Sequence, residues 1–270
     1  MALYMIKLEE AKLHISKGNS KIGKGIWSFS TLPGNSEHLI YIGGKDGENK
    51  ILLTDIPGTC SKYCNGCAKD GACYAWRDAK LHHNVTIRAW GENTLLLRHD
   101  PDKLFNMIDE FITTKNKKKI QVNTWRWNVS GEIESLKQLE LMNDLAAKHP
   151  EVAFGIYTKN YDVLEEFIKI HGVEALNENF TINVSEWHGV AAAFIAKYPG
   201  VFNIFEYDDS NHKGNELSEA DVERLKHVTH CMAVKADGHH AKTPDGRPIT
   251  CDMCKRCYRR TGQRTAVYAH

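Results

Sequence analysis

Six times along its 270 residues this chain sets an apolar, β-branched run against a helical pattern, and that alternation limits the fold more than any other feature. The runs are ILLTDIP (51–57), KIQVNTW (119–125), AFGIYT (153–158), FTINVS (180–185), VFNIFEY (201–207) and HVTHCMAV (227–234). Apolar spacings of three and four residues predict helices over 86–97, 101–114, 135–149, 161–172, 189–198 and 218–226. Asp100 and Pro101 read as N-cap and first helical residue of the second, and Gly172 closes the fourth. Strands alternating with helices predict a parallel sheet with helices outside it. Right-handed crossovers would curl that sheet into a partial (β/α) barrel of about six units. In such sheets the reactive side chains belong in the loops at the strand C-terminal ends.

The chain reads as one βα domain over 1–235, with an N-terminal extension. A polar, turn-rich, cysteine-bearing tail over 236–270 is expected to pack on it as a metal-binding extension.

One of those strand ends carries CSKYCNGCAKDGACYA, which places four of the eight cysteines at Cys60, Cys64, Cys67 and Cys73. The tail supplies Cys251, Cys254 and Cys257, with Cys231 at the sixth run. No apolar stretch reaches the roughly 18 residues of a membrane span. The N-terminal segment has lysines and glutamates where an export signal has its apolar core, so the expected location is cytoplasmic and away from membranes. In a reducing compartment thiols serve metal, redox or catalytic chemistry rather than structural disulfides. Loop thiolates two or three residues apart can converge on one centre. The triples C-x3-C-x2-C and C-x2-C-x2-C, each with a fourth thiol elsewhere, suit a 4Fe-4S cluster, so two clusters are expected. A structural zinc site is the alternative, since zinc also takes thiolate ligands. A formal net charge of +1 gives no global field towards nucleic acid.

C-x3-C-x2-C after the first strand of a βα barrel resembles the radical S-adenosylmethionine (SAM) superfamily. The loop NVSGEIE resembles that superfamily's Gly-Gly-Glu element through Ser130, Gly131 and Glu132. The resemblance implies an oxygen-sensitive 4Fe-4S cluster held by Cys60, Cys64 and Cys67, with SAM on the remaining iron. It also implies an electron donor and a substrate, neither of which it names. Two departures stand out: Gly66 occupies a position that is usually aromatic, and Cys73 could supply a fourth thiolate that shuts SAM out. A closer resemblance is to the phage and bacterial family catalogued as "gene product eighty-eight". GNSKIGKGIWSFSTLPG, the loop ending CYA, NVSGEIES, HPEVAFGIYTKN and ITCDMCKRC look like its blocks, in order, over most of the chain. That family implies iron-sulfur-like cysteine sets without an assigned reaction.

Other residues carry weaker expectations. Glu132 could hold an ammonium group, with Gly131 letting a ligand reach the backbone, or could simply start a helix. Lys159 and Ser185, at the ends of the third and fourth runs, would face the mouth of a barrel as cofactor contacts. Trp125, Arg126 and Trp127 could stack a nucleobase, although such tryptophans more often fill a core. The pairs His82-His83 and His239-His240 read as solvated loops rather than metal ligands. The arginines at 247, 256, 259, 260 and 264, with Lys255, read as a solvated basic end with only weak support for a nucleic-acid partner.

Overall fold

The computed structural model describes residues 8–18, 22–34, 39–42, 51–54, 57–64, 73, 75, 83–187, 189–208, 223, 228–235 and 239–268. Its strands are β1 (Ser16–Lys17), β2 (Ile26–Ser28), β3 (Leu39–Ile42), β4 (Ile51–Thr54), β5 (Thr124–Arg126), β6 (Ala153–Thr158), β7 (Phe180–Glu186), β8 (Asn203–Asp208), β9 (Thr229–His230) and β10 (Arg264–Tyr268). Its helices are α1 (His83–His99), α2 (Pro101–Lys117), α3 (Leu136–Lys148), α4 (Tyr161–His171), α5 (Ala192–Lys197) and α6 (Cys251–Cys254). Among the described residues, eight strands form one sheet in the order β1-β2-β5-β6-β7-β8-β10-β9. Only the β1–β2 pair is antiparallel. The architecture is therefore mixed α/β around a mostly parallel sheet.

The chain crosses the sheet in one direction from β2 through β5, β6 and β7 to β8, with helices in the connections. Right-handed crossovers taken in one direction lay their helices on a single face. Strand alternation accordingly sends Trp125, Phe154, Ile156, Phe180, Ile182 and Val184 towards Leu104, Ile108 and Ile112 of α2 and Leu139 and Met142 of α3. The helices start where capping chemistry predicts: Asp100 accepts from the Lys103 amide at 2.9 Å, and Ser135 accepts from the Gln138 amide at 3.2 Å.

The opposite face is left for the C-terminal segment. There the Tyr258 ring lies so close to Gly155 that a Cβ would come within 2.7 Å of it. Asn183 Nδ2 donates to the carbonyls of Ile156 (3.0 Å) and Cys257 (2.9 Å), fastening that segment to β7.

Three expectations need correction. The run 51–57 is not the first strand of the parallel series: β4 pairs antiparallel with β3 in a separate two-stranded sheet. The first parallel strand is β2, which pairs Ile26 with Thr124, and its three residues are too short to show a period. The strand expected over 119–125 starts only at Thr124, because Lys119 (φ 58°) turns the chain out of α2. The sixth run yields only the two-residue β9, and the tail's own RTAVY forms β10, which inserts between β8 and β9 with five paired positions along β8. The tail thus contributes a strand to the main sheet, whose edges are β1 and β9. The helix expected over 218–226 lies outside the described residues except for Glu223.

Candidate functional site

Three loops meet at the C-terminal end of β2. Beyond β4 the chain returns beside the segment that follows β2, where the Thr59 amide donates to the Leu32 carbonyl and the Cys60 amide to the Gly34 carbonyl, both at 2.9 Å. The Gly34 amide in turn donates to Cys60 Sγ at 3.1 Å. Gly58 permits this approach, since a Cβ there would sit 2.2 Å from the carbonyl oxygens of Pro33 and Gly34. Arg98 of α1 holds the same segment from behind. Its Nη1 donates to the Pro57 carbonyl at 2.6 Å, its Nη2 to the Gly58 carbonyl at 3.3 Å, and its guanidinium pairs with Glu134 beyond β5.

The loop after β5 joins through hydroxyls. Thr31 and Thr59 share a 2.8 Å bond, and Thr59 Oγ1 also accepts from the Glu132 amide at 2.8 Å. Gly131 (φ 81°) lies against this pair: a Cβ would fall 1.9 Å from Thr31 Oγ1 and 2.4 Å from Thr59 Oγ1. Glycine is required there by close packing against protein, which is a different reason from the ligand approach expected of it. Glu132 is buried, and its two oxygens accept from the amides of Ile133 (2.9 Å) and Lys159 (2.7 Å). Burial raises its carboxyl, against those bonds. Glu132 is thus a clasp between the loops after β5 and β6 and does not start α3. Ser61 Oγ donates to the Lys159 carbonyl at 3.1 Å and draws the cysteine loop into the same junction.

The C-terminal cysteines approach from the helix-free face of the sheet. Cys251 and Cys254 lie in α6, and Lys255 in the left-handed region (φ 52°) reverses the chain so that Cys257 follows directly. Between the first two, Asp252 Oδ2 accepts from the Gly25 amide at 3.0 Å and its own amide donates to the Ile22 carbonyl, which ties this set to the segment leading into β2. The Cys231 amide donates to the Ala266 carbonyl at 2.7 Å, placing that thiol just beyond β9.

All seven described cysteines, Cys60, Cys64, Cys73, Cys231, Cys251, Cys254 and Cys257, line one cavity of about 450 Å³. Cys67 lies outside the described residues. Within the cavity wall Cys60 and Cys64 are at hydrogen-bonding distance. That contact raises the Cys60 thiol, burial adds to the rise, and the Gly34 amide opposes it. Burial pushes the Cys257 thiol up to about 12, while a hydrogen bond with Tyr157 and the Arg126 charge pull the other way; Cys231 and Cys251 stand near enough to add to the rise. No group of three or more His, Cys, Asp or Glu side chains among the described residues is gathered to hold a metal ion.

The remaining expected site residues share this wall: Ser130, Gly131, Glu132, Lys159 and Ser185 all line the cavity. Lys159 Nζ sits 5.3 Å over the Trp187 ring, and the Ser185 carbonyl accepts from Tyr161 at 2.7 Å. Trp125 and Trp127 do not: both are fully buried among Phe111, Phe105 and Phe154, so the nucleobase reading fails for them. Arg126, between them, alternates onto the cavity face and lies 4.5 Å over the Tyr157 ring. His240 Nδ1 bonds the Ile249 carbonyl, His239 is exposed, and the His82-His83 side chains lie outside the described residues. The basic tail is partly built in: Arg256 donates to Thr265, Arg260 to the Leu176 carbonyl, and Arg264 pairs with the fully buried Glu206.

A family model described as Gene product 88 matches residues 13–262, a span that contains both cysteine sets and every strand from β1 to β9. The chain belongs to the Gene product 88 family. No curated protein and no solved structure matches it. For this Gene product 88 member, no helix among the described residues is long and apolar enough to cross a membrane. Asn128, Tyr157 and the Asp208–His230 pair (2.7 Å) belong to the neighbourhood of the site and escaped the sequence reading. Single polar residues on short strands leave no periodic signal.

Proposed function

We propose that this is an iron-sulfur protein whose cysteines hold two 4Fe-4S clusters in the cavity that they line. The observation that carries the reading is that all seven described thiols, from three distant stretches of sequence, line the wall of one cavity. Sets of soft thiolates suit iron-sulfur chemistry, with zinc as the alternative. Cys60, Cys64 and Cys67, with Cys73, would serve one cluster; Cys251, Cys254 and Cys257, with Cys231, would serve the other. Reduced clusters of this kind supply single electrons.

What the chain itself contributes is position and environment. The Gly34 amide and the Tyr157 hydroxyl offer hydrogen bonds to cysteine sulfur, which favour thiolate over thiol. The first set lies beyond the end of the parallel strand β2, and the second lies against the helix-free face, tied to the segment that leads into β2.

The geometry favours closed clusters acting in electron transfer, redox sensing or cluster-based reduction. Cys73 lines the same cavity as Cys60 and Cys64, and both Glu132 oxygens already accept backbone amides. A radical-SAM-like centre in a barrel-type sheet is the second reading, favoured by the one-directional winding and by Ser130, Gly131 and Glu132 on the cavity wall.

A pair of variants tests both. Cys64→Ala should lose about half of the iron and sulfide; unchanged content in that variant would remove the cluster assignment. Cys73→Ala should open an iron of the first cluster and gain SAM binding that the unaltered protein lacks, whereas SAM binding already present in the unaltered protein would establish the second reading in place of the first.

A further inference from the structure

Among the described residues, Asn128 and Ser130 on the cavity wall, like the Tyr258 hydroxyl there, have side-chain polar atoms with no hydrogen-bond partner. Asn128 is 4% exposed, and both its amide nitrogen and its amide oxygen lack partners. Ser130 is 2% exposed, and its hydroxyl also lacks one. Beyond β5 the alternation that puts Arg126 on the cavity face and Trp127 in the core returns Asn128 to the cavity face. Asn128 is also left-handed (φ 47°), which an L residue adopts at a cost and asparagine tolerates best. Buried polar groups are almost always satisfied, so an amide and a hydroxyl left open on the wall of one cavity point to a ligand there.

The asparagine amide offers one acceptor beside donors, all in a plane. Its complement is a planar group with a donor beside an acceptor, as in an amide or an amidine. The same cavity is walled by Tyr157, Trp187, Phe205 and Tyr207, whose rings suit a flat, delocalised ligand better than an aliphatic one.

We propose that Asn128 and Ser130 form a subsite for a planar ring bearing an amide or amidine edge, supplied by an aminopurine-type base or by an aromatic carboxamide. The subsite rests on the unpartnered side chains and the ring-lined wall, and stands independently of the metal reading.

The experiment uses the full-length chain, purified without oxygen, with iron measured in every sample. Equilibrium dialysis is run against 9-methyladenine and nicotinamide, and against 9-methylpurine and nicotinate, which lack the paired edge. The expected result is that 9-methyladenine or nicotinamide binds at least about tenfold more tightly than its edge-less counterpart, and the preferred one identifies the source. Asn128→Asp keeps the shape but replaces the donors with an acceptor, and should weaken binding roughly ten- to hundredfold. Asn128→Gly, at home at positive φ, should do the same while keeping the melting temperature of the unliganded protein. No binding by either probe, equal binding of each pair, or unchanged binding in both variants would overturn the proposal. Edge-dependent binding in a sample without iron would support the subsite and count against the clusters. Iron without edge-dependent binding would overturn the subsite alone.

Discussion

The Gly34 amide donates to Cys60 Sγ at 3.1 Å while the Cys60 amide donates to the Gly34 carbonyl at 2.9 Å, so one glycine fixes both the backbone and the sulfur of this cysteine. The exchange requires the two segments to run nearly in contact, and Gly58 is where they come closest. Gly58→Ala would place a methyl 2.2 Å from two carbonyl oxygens. Overpacking against backbone of this kind costs about 1–3 kcal/mol. The variant should melt at lower temperature and lose iron from the first set, measured by calorimetry and metal analysis.

Arg98 acts on the same segment from the helix side. Its guanidinium serves two carbonyls and a carboxylate at once, a geometry that lysine does not reproduce. Arg98→Met should destabilise the protein by about 2 kcal/mol, because hydrogen bonds to charged groups contribute about 1.5–3 kcal/mol. Arg98→Lys should recover only part of that, as read from denaturant midpoints.

At Glu132 the clasp predicts a penalty for a nearly isosteric change. Glu132→Gln turns one of two acceptors into a donor facing a backbone amide, from either Ile133 or Lys159. One buried amide left unsatisfied costs about 1–3 kcal/mol. If instead the carboxylate served only a ligand, the variant would retain wild-type stability, which chemical denaturation would show.

Stability in acid follows from the packing of α2 against α3. Burial draws the Asp109 carboxyl up, but the bonds from His149 (2.8 Å) and Lys148 (3.4 Å) outweigh it and hold the group below its ordinary value. A depressed folded-state value stabilises the protein above the unfolded value, and that stabilisation is lost as pH falls through the folded one. The loss should begin below about pH 4. Asp109→Asn should flatten this part of the profile of melting temperature against pH.

Much of this arrangement was legible in the residues. Strands β6, β7 and β8 and helices α1 to α4 are long and periodic, and they fall close to where their patterns place them. The errors came where length or partner choice decides. IWS of β2 is too short to show alternation, whereas ILLT of β4 alternates no better but is strongly apolar, so apolar content alone points to the wrong segment. RTAVY looked like the end of a polar tail because its pairing partner, β8, lies 56 or more residues away in sequence. The described cysteines of both sets line one cavity, with the second set tied to the segment that leads into β2. Spacing said nothing of Gly58, Arg98 or the Thr31–Thr59 pair, which hold the cysteine loop through contacts between distant segments.

The proposed clusters depend on the seven cavity-lining thiols, with Cys67, serving as ligands. The most direct measurement is iron, acid-labile sulfide and zinc per chain on protein purified without oxygen. Two 4Fe-4S clusters predict about eight iron and about eight sulfide per chain, with zinc near zero. Zinc without sulfide, or a chain that carries neither metal, would contradict that assignment.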